Sequence, residues 1–263
     1  MAGLLMSLAS GHVPAVETAQ SVTLVADVWC PYNCAPDSVE QGYLIDIATL
    51  VFSRLGKHID YRVMPWSRAL HEVSEERATA AVGATRSGMT TGVFVNEVSL
   101  GQDQTVLVSR LDRPMPFHGV ESLAALDMLG VIAEYTYDAG GPIDRYLQDP
   151  KVKKDLMVLY GETALSQFFR LLDQRRVDAF LENRYVALYN ARQLGMSENI
   201  RLEDTGGGDT IHFAFRDTPK GHKLARQFDE ALLELDKEGK IEPILKRYGL
   251  DYSPLKRQSS AFE

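Results

Sequence analysis

The sequence predicts an α/β protein built as two lobes, each a mostly parallel sheet flanked by helices, joined by two hinge crossings. Three observations carry this expectation. Strand-like and helix-like segments alternate from Val22 onward, which implies parallel pairing through crossovers. The alternation breaks at Asp112-Arg113-Pro114-Met115-Pro116 and then starts again. A flexible glycine run, Thr205-Gly206-Gly207-Gly208-Asp209, offers the chain a way back. At 263 residues and 45% hydrophobic content, the chain can bury either one large core or two of ordinary size.

Each element has a local reason. Val22 to Val28 carries apolar and β-branched residues on both alternating sets, as a largely buried strand does. Leu44, Ile47, Ala48, Val51 and Leu55 then recur at helical spacing up to Gly56, a natural stop. Ile59 to Val63 reads as a second strand, and Ser67 as the cap of a short helix through Glu76. Ala81 to Thr85 and Thr105 to Ser109 are extended. Past the proline-rich break, the pattern predicts strands at Leu129 to Ala133, Met157 to Tyr160 and Val177 to Leu181. Helices are predicted at Asp138 to Leu147, Thr163 to Leu172 and Tyr185 to Leu194. Beyond the glycine run, Thr210 to Phe215 alternates as a strand. Pro219 to Lys237 is a long helix with Leu224, Phe228, Ala231 and Leu235 on one face, and Ile241 to Tyr248 is a last helix ending at Gly249. The resulting division is a leader over 1–20, a discontinuous first lobe over 21–110 and 209–253, a second lobe over 111–208, and a polar tail over 254–263.

Composition excludes several classes. The 28 basic and 36 acidic residues give a net charge of −8 and are interspersed, so no cationic surface for nucleic acid is evident. No run of 18 apolar residues encodes a membrane-spanning helix. Leu4 to Ala9, followed by small residues, has the order of a secretory signal, although no Lys or Arg precedes it. Export is the expectation. Cys30 and Cys34 are the two cysteines; no further ligands accompany them at zinc spacing, so neither a metal nor any other cofactor is expected. A small disulfide loop in an oxidising compartment and a pair of buried thiols both fit, and the disulfide is the expected state. The six histidines show no triad or ligand spacing, no Gly-x-Ser-x-Gly elbow occurs, and Gly206-Gly207-Gly208 lacks the lysine of a phosphate loop.

Several short motifs occur in a telling order: Trp29-x-Pro31-Tyr32-Asn33, Gly42-x-x-x-Asp46, Pro65-Trp66-x-Arg68-Ala69, Gly83-Ala84-x-Arg86, Leu129-Gly130-Val131 and Arg176 to Asn183. Gly239-Lys240-Ile241-x-x-Ile244-Leu245-x-x-Tyr248-Gly249 follows near the end. From about Val22 to Tyr252 the chain thereby resembles the periplasmic solute-binding proteins, family 3, that deliver amino acids and other small polar solutes to ABC importers. The resemblance implies the type II periplasmic-binding-protein-like fold, a periplasmic address, a small polar ligand and a membrane permease as partners, and a monomer.

It also implies a set of ligand-binding residues. Trp29 and Tyr32, after the first strand, would supply aromatic walls, which suit apolar and cationic groups; core packing suits Trp29 equally. Trp66 would contact ligand or pack at the lobe base. Arg86, at a strand end, would clamp a carboxylate with its planar fork, although the family's usual clamp falls a few residues after the threonine, where Gly88 and Met89 stand. Tyr135-Thr136-Tyr137, between a strand and a helix, would hold an anionic group on its backbone N–H groups and the Thr136 hydroxyl, with Thr136 and Tyr137 as the binding residues. Glu182 and Asn183 stand where an aspartate commonly meets the ligand ammonium. Alternation lets only one of the two face the cleft squarely, and an ion pair of Glu182 with Arg184 is the structural alternative. Asp178 reads as structural.

The resemblance thus implies a receptor that closes on its ligand and performs no chemistry. A ligand-sensing module for a membrane kinase is a close variant. A different class, a periplasmic enzyme resembling cyclohexadienyl dehydratase, would use Glu182 as its general acid.

Overall fold

The computed structural model describes residues 20–133, 135–152, 155–161 and 163–257. The expected leader over 1–20 lies outside these residues except for Gln20, and so do residues 258–263 of the expected tail.

The first half opens with β1 (Gln20–Ala26), α1 (Tyr43–Arg54), β2 (Lys57–Val63), α2 (Trp66–Ser74), β3 (Ala80–Thr85) and the short β4 (Val93–Val95). The second half contains β5 (Gly101–Arg110), a 3-10 turn at Val120–Ala125, β6 (Leu129–Ile132) and α3 (Pro142–Gln148). It continues with β7 (Leu156–Leu159), α4 (Ala164–Asp173), β8 (Ala179–Asn183) and α5 (Arg184–Gln193). The chain then returns through the long β9 (Ile200–Arg216) to α6 (Pro219–Lys237) and α7 (Glu242–Arg247). Among the described residues no helix is long and apolar enough to cross a membrane.

β1 lies parallel between β2 and β3, and β6 lies parallel between β7 and β8. The α/β class therefore stands, with one refinement. Instead of two separate sheets, a single hydrogen-bonded series runs β2-β1-β3-β9-β5-β8-β6-β7. It is continuous because β5 pairs antiparallel with β9 along its whole length and both strands serve both halves. The early part of β9 pairs with β5, whereas Ile211 to Phe215 pairs with β3.

Each half has apolar clusters on both sheet faces. In the first, Leu44, Val51, Phe52, Phe213, Phe228 and Leu232 seal one face, and Leu70, Val73, Ala81 and Ala214 the other. In the second, Phe168, Phe169, Leu172 and Phe180 pack on one side, and Leu123, Leu129, Ile143 and Leu181 on the other. Such three-layer packing is what buried, β-branched strands between amphipathic helices dictate.

Several local expectations shift. Gln102 to Gln104 already pair with β9, and Thr105 to Ser109 pair with β8, so the change of halves comes near Gln104 and precedes the Asp112-Pro116 break. That break is fastened within the second half, where Arg113 meets Asp178 at 3.0 Å. The glycine run is part of β9. It forms a bulge in which Thr105 faces Thr205 to Gly207, with Gly206 at φ 68° and Gly208 at φ 145°, backbone conformations that glycine adopts readily. Helix α2 starts at Trp66 behind Pro65, and Ser67 makes no capping bond. Helix α3 starts at Pro142 because Ala139 and Gly140 are left-handed; Asp138 caps it from upstream, accepting from the N–H groups of Ile143 at 2.6 Å and Asp144 at 3.0 Å.

Candidate functional site

β1 ends at Ala26, and the next eight residues form a tight turn. Trp29 N–H donates to Asn33 O at 2.7 Å, Tyr32 N–H donates to Trp29 O at 2.9 Å, and the Cys30–Cys34 disulfide closes the turn. The turn is seated on helix α1, whose first N–H groups lack intrahelical acceptors. Tyr43 N–H donates to Pro31 O and Leu44 N–H to Tyr32 O, both at 3.0 Å. Gly42 permits this seat, since a Cβ there would collide with the Tyr32 carbonyl. The turn presents Trp29 to the space between the halves and tucks Tyr32 behind it, the rings stacked at 4.2 Å and 18°.

Behind that wall, the halves are tied by a buried polar network. The Tyr32 hydroxyl donates to Gln102 O and accepts from Asn183 Nδ2 at 3.0 Å, and the other Nδ2 hydrogen goes to Asp103 Oδ1 at 2.9 Å. Asn183 Oδ1 caps α5, accepting from Tyr185 N–H at 2.8 Å and Val186 N–H at 3.1 Å. Asn183 is thus fully used by the protein. Tyr32 and Asn183, expected on opposing ligand-facing walls, instead bond to each other behind the cleft where the halves join, because a buried tyrosine hydroxyl needs a partner and the end of β8 supplies one.

In front of the wall lies a cleft of two adjoining cavities, about 80 Å³ and 270 Å³, which share Asp27, Trp29, Trp66 and Tyr135. Gly83, Thr85, Asp103 and Thr136 line the first, and Glu182, Leu165, Tyr189 and Asn190 the second. Gly83, at φ 84° in a bulge of β3, keeps the floor open, since a Cβ would stand 2.8 Å from Asn33 Oδ1 and 3.5 Å from the Trp29 ring. Across the cleft, the Tyr135 hydroxyl of the second half donates to Asp27 Oδ2 of the first at 3.3 Å.

The electrostatics are one-sided. Among the described residues that line the two cavities there is no Lys, Arg or His, whereas Asp27, Asp103 and Glu182 are all present. Glu182 is 1% exposed; its Oε1 accepts from Asn183 N–H at 2.7 Å, while Oε2 has no hydrogen-bond partner. Burial pushes its carboxyl up to about 8; the Asn183 N–H opposes this most, Asp103 and Asp27 add to the rise, and the nearby Trp29 indole works against it. That indole N–H completes no hydrogen bond of good geometry. Burial raises Asp103 to about 6 against the lowering effect of Asn183. The alternative ion pair of Glu182 with Arg184 is not formed.

Of the residues expected in the site, Trp29, Trp66, Thr136 and Glu182 line the cleft. Tyr32 and Asn183 stand directly behind it. Tyr137 is 4% exposed in the core of the second half, where its hydroxyl accepts from Ile132 N–H at 2.7 Å. Of the N–H groups expected to seat an anion, that of Tyr137 donates instead to Asp144 at 2.8 Å, while Tyr135 and Thr136 line the cleft. Arg86 is exposed on the loop after β3 and lies outside the cleft lining. Asp27 and Asp103 were not anticipated, and Tyr135 was expected only through the backbone of its segment. The carboxyl ends of strands are where open α/β sheets bind ligands, a rule that points at Asp27. Asp103 gave no such signal, since the polar start of β5 does not alternate like a strand. Among the described residues no group of three or more His, Cys, Asp or Glu could hold a metal ion.

The family model for bacterial extracellular solute-binding proteins, family 3, matches residues 22–251. No curated protein sequence matches. Among solved structures, a histidine kinase sensor domain with similarity to periplasmic binding proteins superimposes with a TM-score of 0.71 at 18% identity, covering 87% of this chain and 95% of the other. The substrate-binding protein of an amino acid ABC transporter gives 0.65 at 15% identity, covering 87% and 98%. An ancestral amino acid-binding protein, a precursor of cyclohexadienyl dehydratase, gives 0.67 at 15% identity, covering 87% and 95%.

Proposed function

Because the chain belongs to the bacterial extracellular solute-binding proteins of family 3, we propose that it is an extracytoplasmic receptor, monomeric in the periplasm. It closes on a small polar solute, an amino acid or a related amine or carboxylate, for delivery to an ABC permease. The observation that carries this reading is the cleft itself, walled by Asp27, Trp29 and Trp66 from one half and by Tyr135, Thr136 and Glu182 from the other, with β5 and β9 as the strands that must bend for the halves to part. A ligand that touches both walls binds the closed form better and shifts the population toward it. Thermal unfolding of the purified protein across amino acids, amines, short organic acids and sugars tests this: a saturable rise in melting temperature without product formation is expected. No rise with any of them, or ligand consumption, overturns it.

One observation favours a second reading. A carboxyl raised to about 8 is protonated at neutral pH, as a general acid must be, and Glu182 sits in the cleft. Against it stands the acidic lining, since a prephenate-type substrate carries two carboxylates and meets no cation there. Turnover of such a substrate that disappears in Glu182→Gln would establish the enzyme. A sensor for a membrane kinase would use the same closure with a different partner.

A further inference from the structure

Family membership leaves the ligand open, and the walls of this cleft narrow it. Of the devices expected to hold a carboxylate, Arg86 lies outside the lining, the Tyr137 N–H is taken by Asp144, and only Tyr135 and Thr136 of that anion seat reach the cleft. What the cleft offers is acceptors and aromatic faces. Glu182 Oε2 is buried in the second cavity without a partner, Asp27 and Asp103 line the first, and Trp29, Trp66 and Tyr135 flank both or bridge them. A buried carboxylate oxygen without a donor is costly, and an ammonium or guanidinium group removes that cost while ring faces attract the same charge. A zwitterion would bring a carboxylate into a space whose described lining holds three acids and no Lys, Arg or His.

Resting on the receptor reading above, we infer that this cleft selects a small organic cation that carries no carboxylate, an amine or guanidine held between Asp27, Asp103 and Glu182 and stacked on Trp29 and Trp66. The cation stabilises ionised Glu182, so binding at pH 7 expels the proton that Glu182 holds in the free protein. The groups that face this carboxyl are Asp27 from the end of β1, Asp103 from β5, Tyr135 and Tyr137 from the segment after β6, and the Trp29 indole. The two tyrosines are pushed well above their usual range by burial and stay neutral, so the balance is set by the acids. Affinity for the cation therefore rises with pH between about 6 and 8.

Titration calorimetry with putrescine, agmatine and choline against L-glutamine and L-glutamate, run at pH 7 in two buffers of different ionisation enthalpy, tests the inference. At least one cation should bind about tenfold or more tightly than either amino acid and should release protons, and Glu182→Gln should remove that release while Asp27→Asn weakens the cation by about tenfold. The proton release is read on the unaltered protein, so it stands even if a variant folds poorly. Tighter binding of glutamine or glutamate, or its loss in Arg86→Ala, overturns the cation and leaves the receptor reading standing. Cation binding without proton release overturns the role given to Glu182. A panel in which nothing binds overturns the inference, while the receptor reading falls only if the broader thermal screen is also silent.

Discussion

Burying Glu182 beside Asp103 and Asp27 makes its protonated form the comfortable one in the folded protein, with its carboxyl raised from the usual 4.5 to about 8. A carboxyl raised on folding contributes stability that is fully present below 4.5 and is lost as pH climbs toward 8. Asp103, raised to about 6, acts in the same direction over a lower window. His212 opposes them: burial, helped by the Arg86 charge, depresses it to about 4, so its contribution is present above 6.5 and lost as pH falls through 4. Ligand-free Glu182→Gln should therefore show a flatter fall in melting temperature between pH 5 and 8 than the parent, checked by scanning calorimetry; parallel curves would mean that Glu182 is ionised throughout. Asn183 is the second residue whose environment makes a definite forecast. Asn183→Ala removes the α5 cap and a donor to both Tyr32 and Asp103, and should cost about 2 kcal/mol in urea unfolding. It should also raise Asp103 further, since the Asn183 bond is what holds that carboxyl down.

At the scale of elements, β6 and α4 meet so closely that the strand tolerates no side chain at one position. A Cβ on Gly130 would stand 2.5 Å from the Phe168 ring and 2.8 Å from Phe180 Cβ. Gly130→Ala should destabilise the second half by about 1 to 3 kcal/mol through overpacking, measured by urea unfolding. Near-parent stability would show that the Phe168 ring rotates away cheaply. The sequence exposed the helical pattern of α4, the small residues of β3 and the extent of α6, because these record which face of an element is buried. It did not expose the start of β5, whose Gln102-Asp103-Gln104 is extended only because β9 lies alongside. Nor did it reveal that Asp144 takes the Tyr137 N–H, which depends on how a left-handed turn at Ala139 and Gly140 folds the chain back.

For the whole molecule, β5, β9 and the Tyr32–Asn183–Asp103 network join two separately packed halves, and the proposed closure would bend the molecule there. The Tyr135 bond to Asp27 spans the cleft, and under the receptor reading it would form as the halves approach. Tyr135→Phe keeps the ring and removes that bond, so ligand affinity should fall by about 2- to 10-fold with little change in ligand-free melting temperature, the size of one hydrogen bond. Calorimetry checks the affinity, and small-angle scattering with and without ligand checks the closure. An unchanged affinity would place the Tyr135 contact outside the closing step.

The sequence by itself determined the alternation of strands and helices, the doubling of that pattern, and the aromatic turn after the first strand that was expected to border a ligand. These follow from periodicity and turn chemistry, which are local. Tertiary structure alone decided that Glu182 faces the cleft while Asn183 turns to the junction of the halves, that Arg86 stays outside the lining, and that Asp27, Asp103 and Tyr135 converge. The reason is that the cleft is assembled from strand ends far apart in the chain. A residue's pattern tells whether it is buried, but the groups that surround it, and so its charge and its role, come only from how distant segments meet.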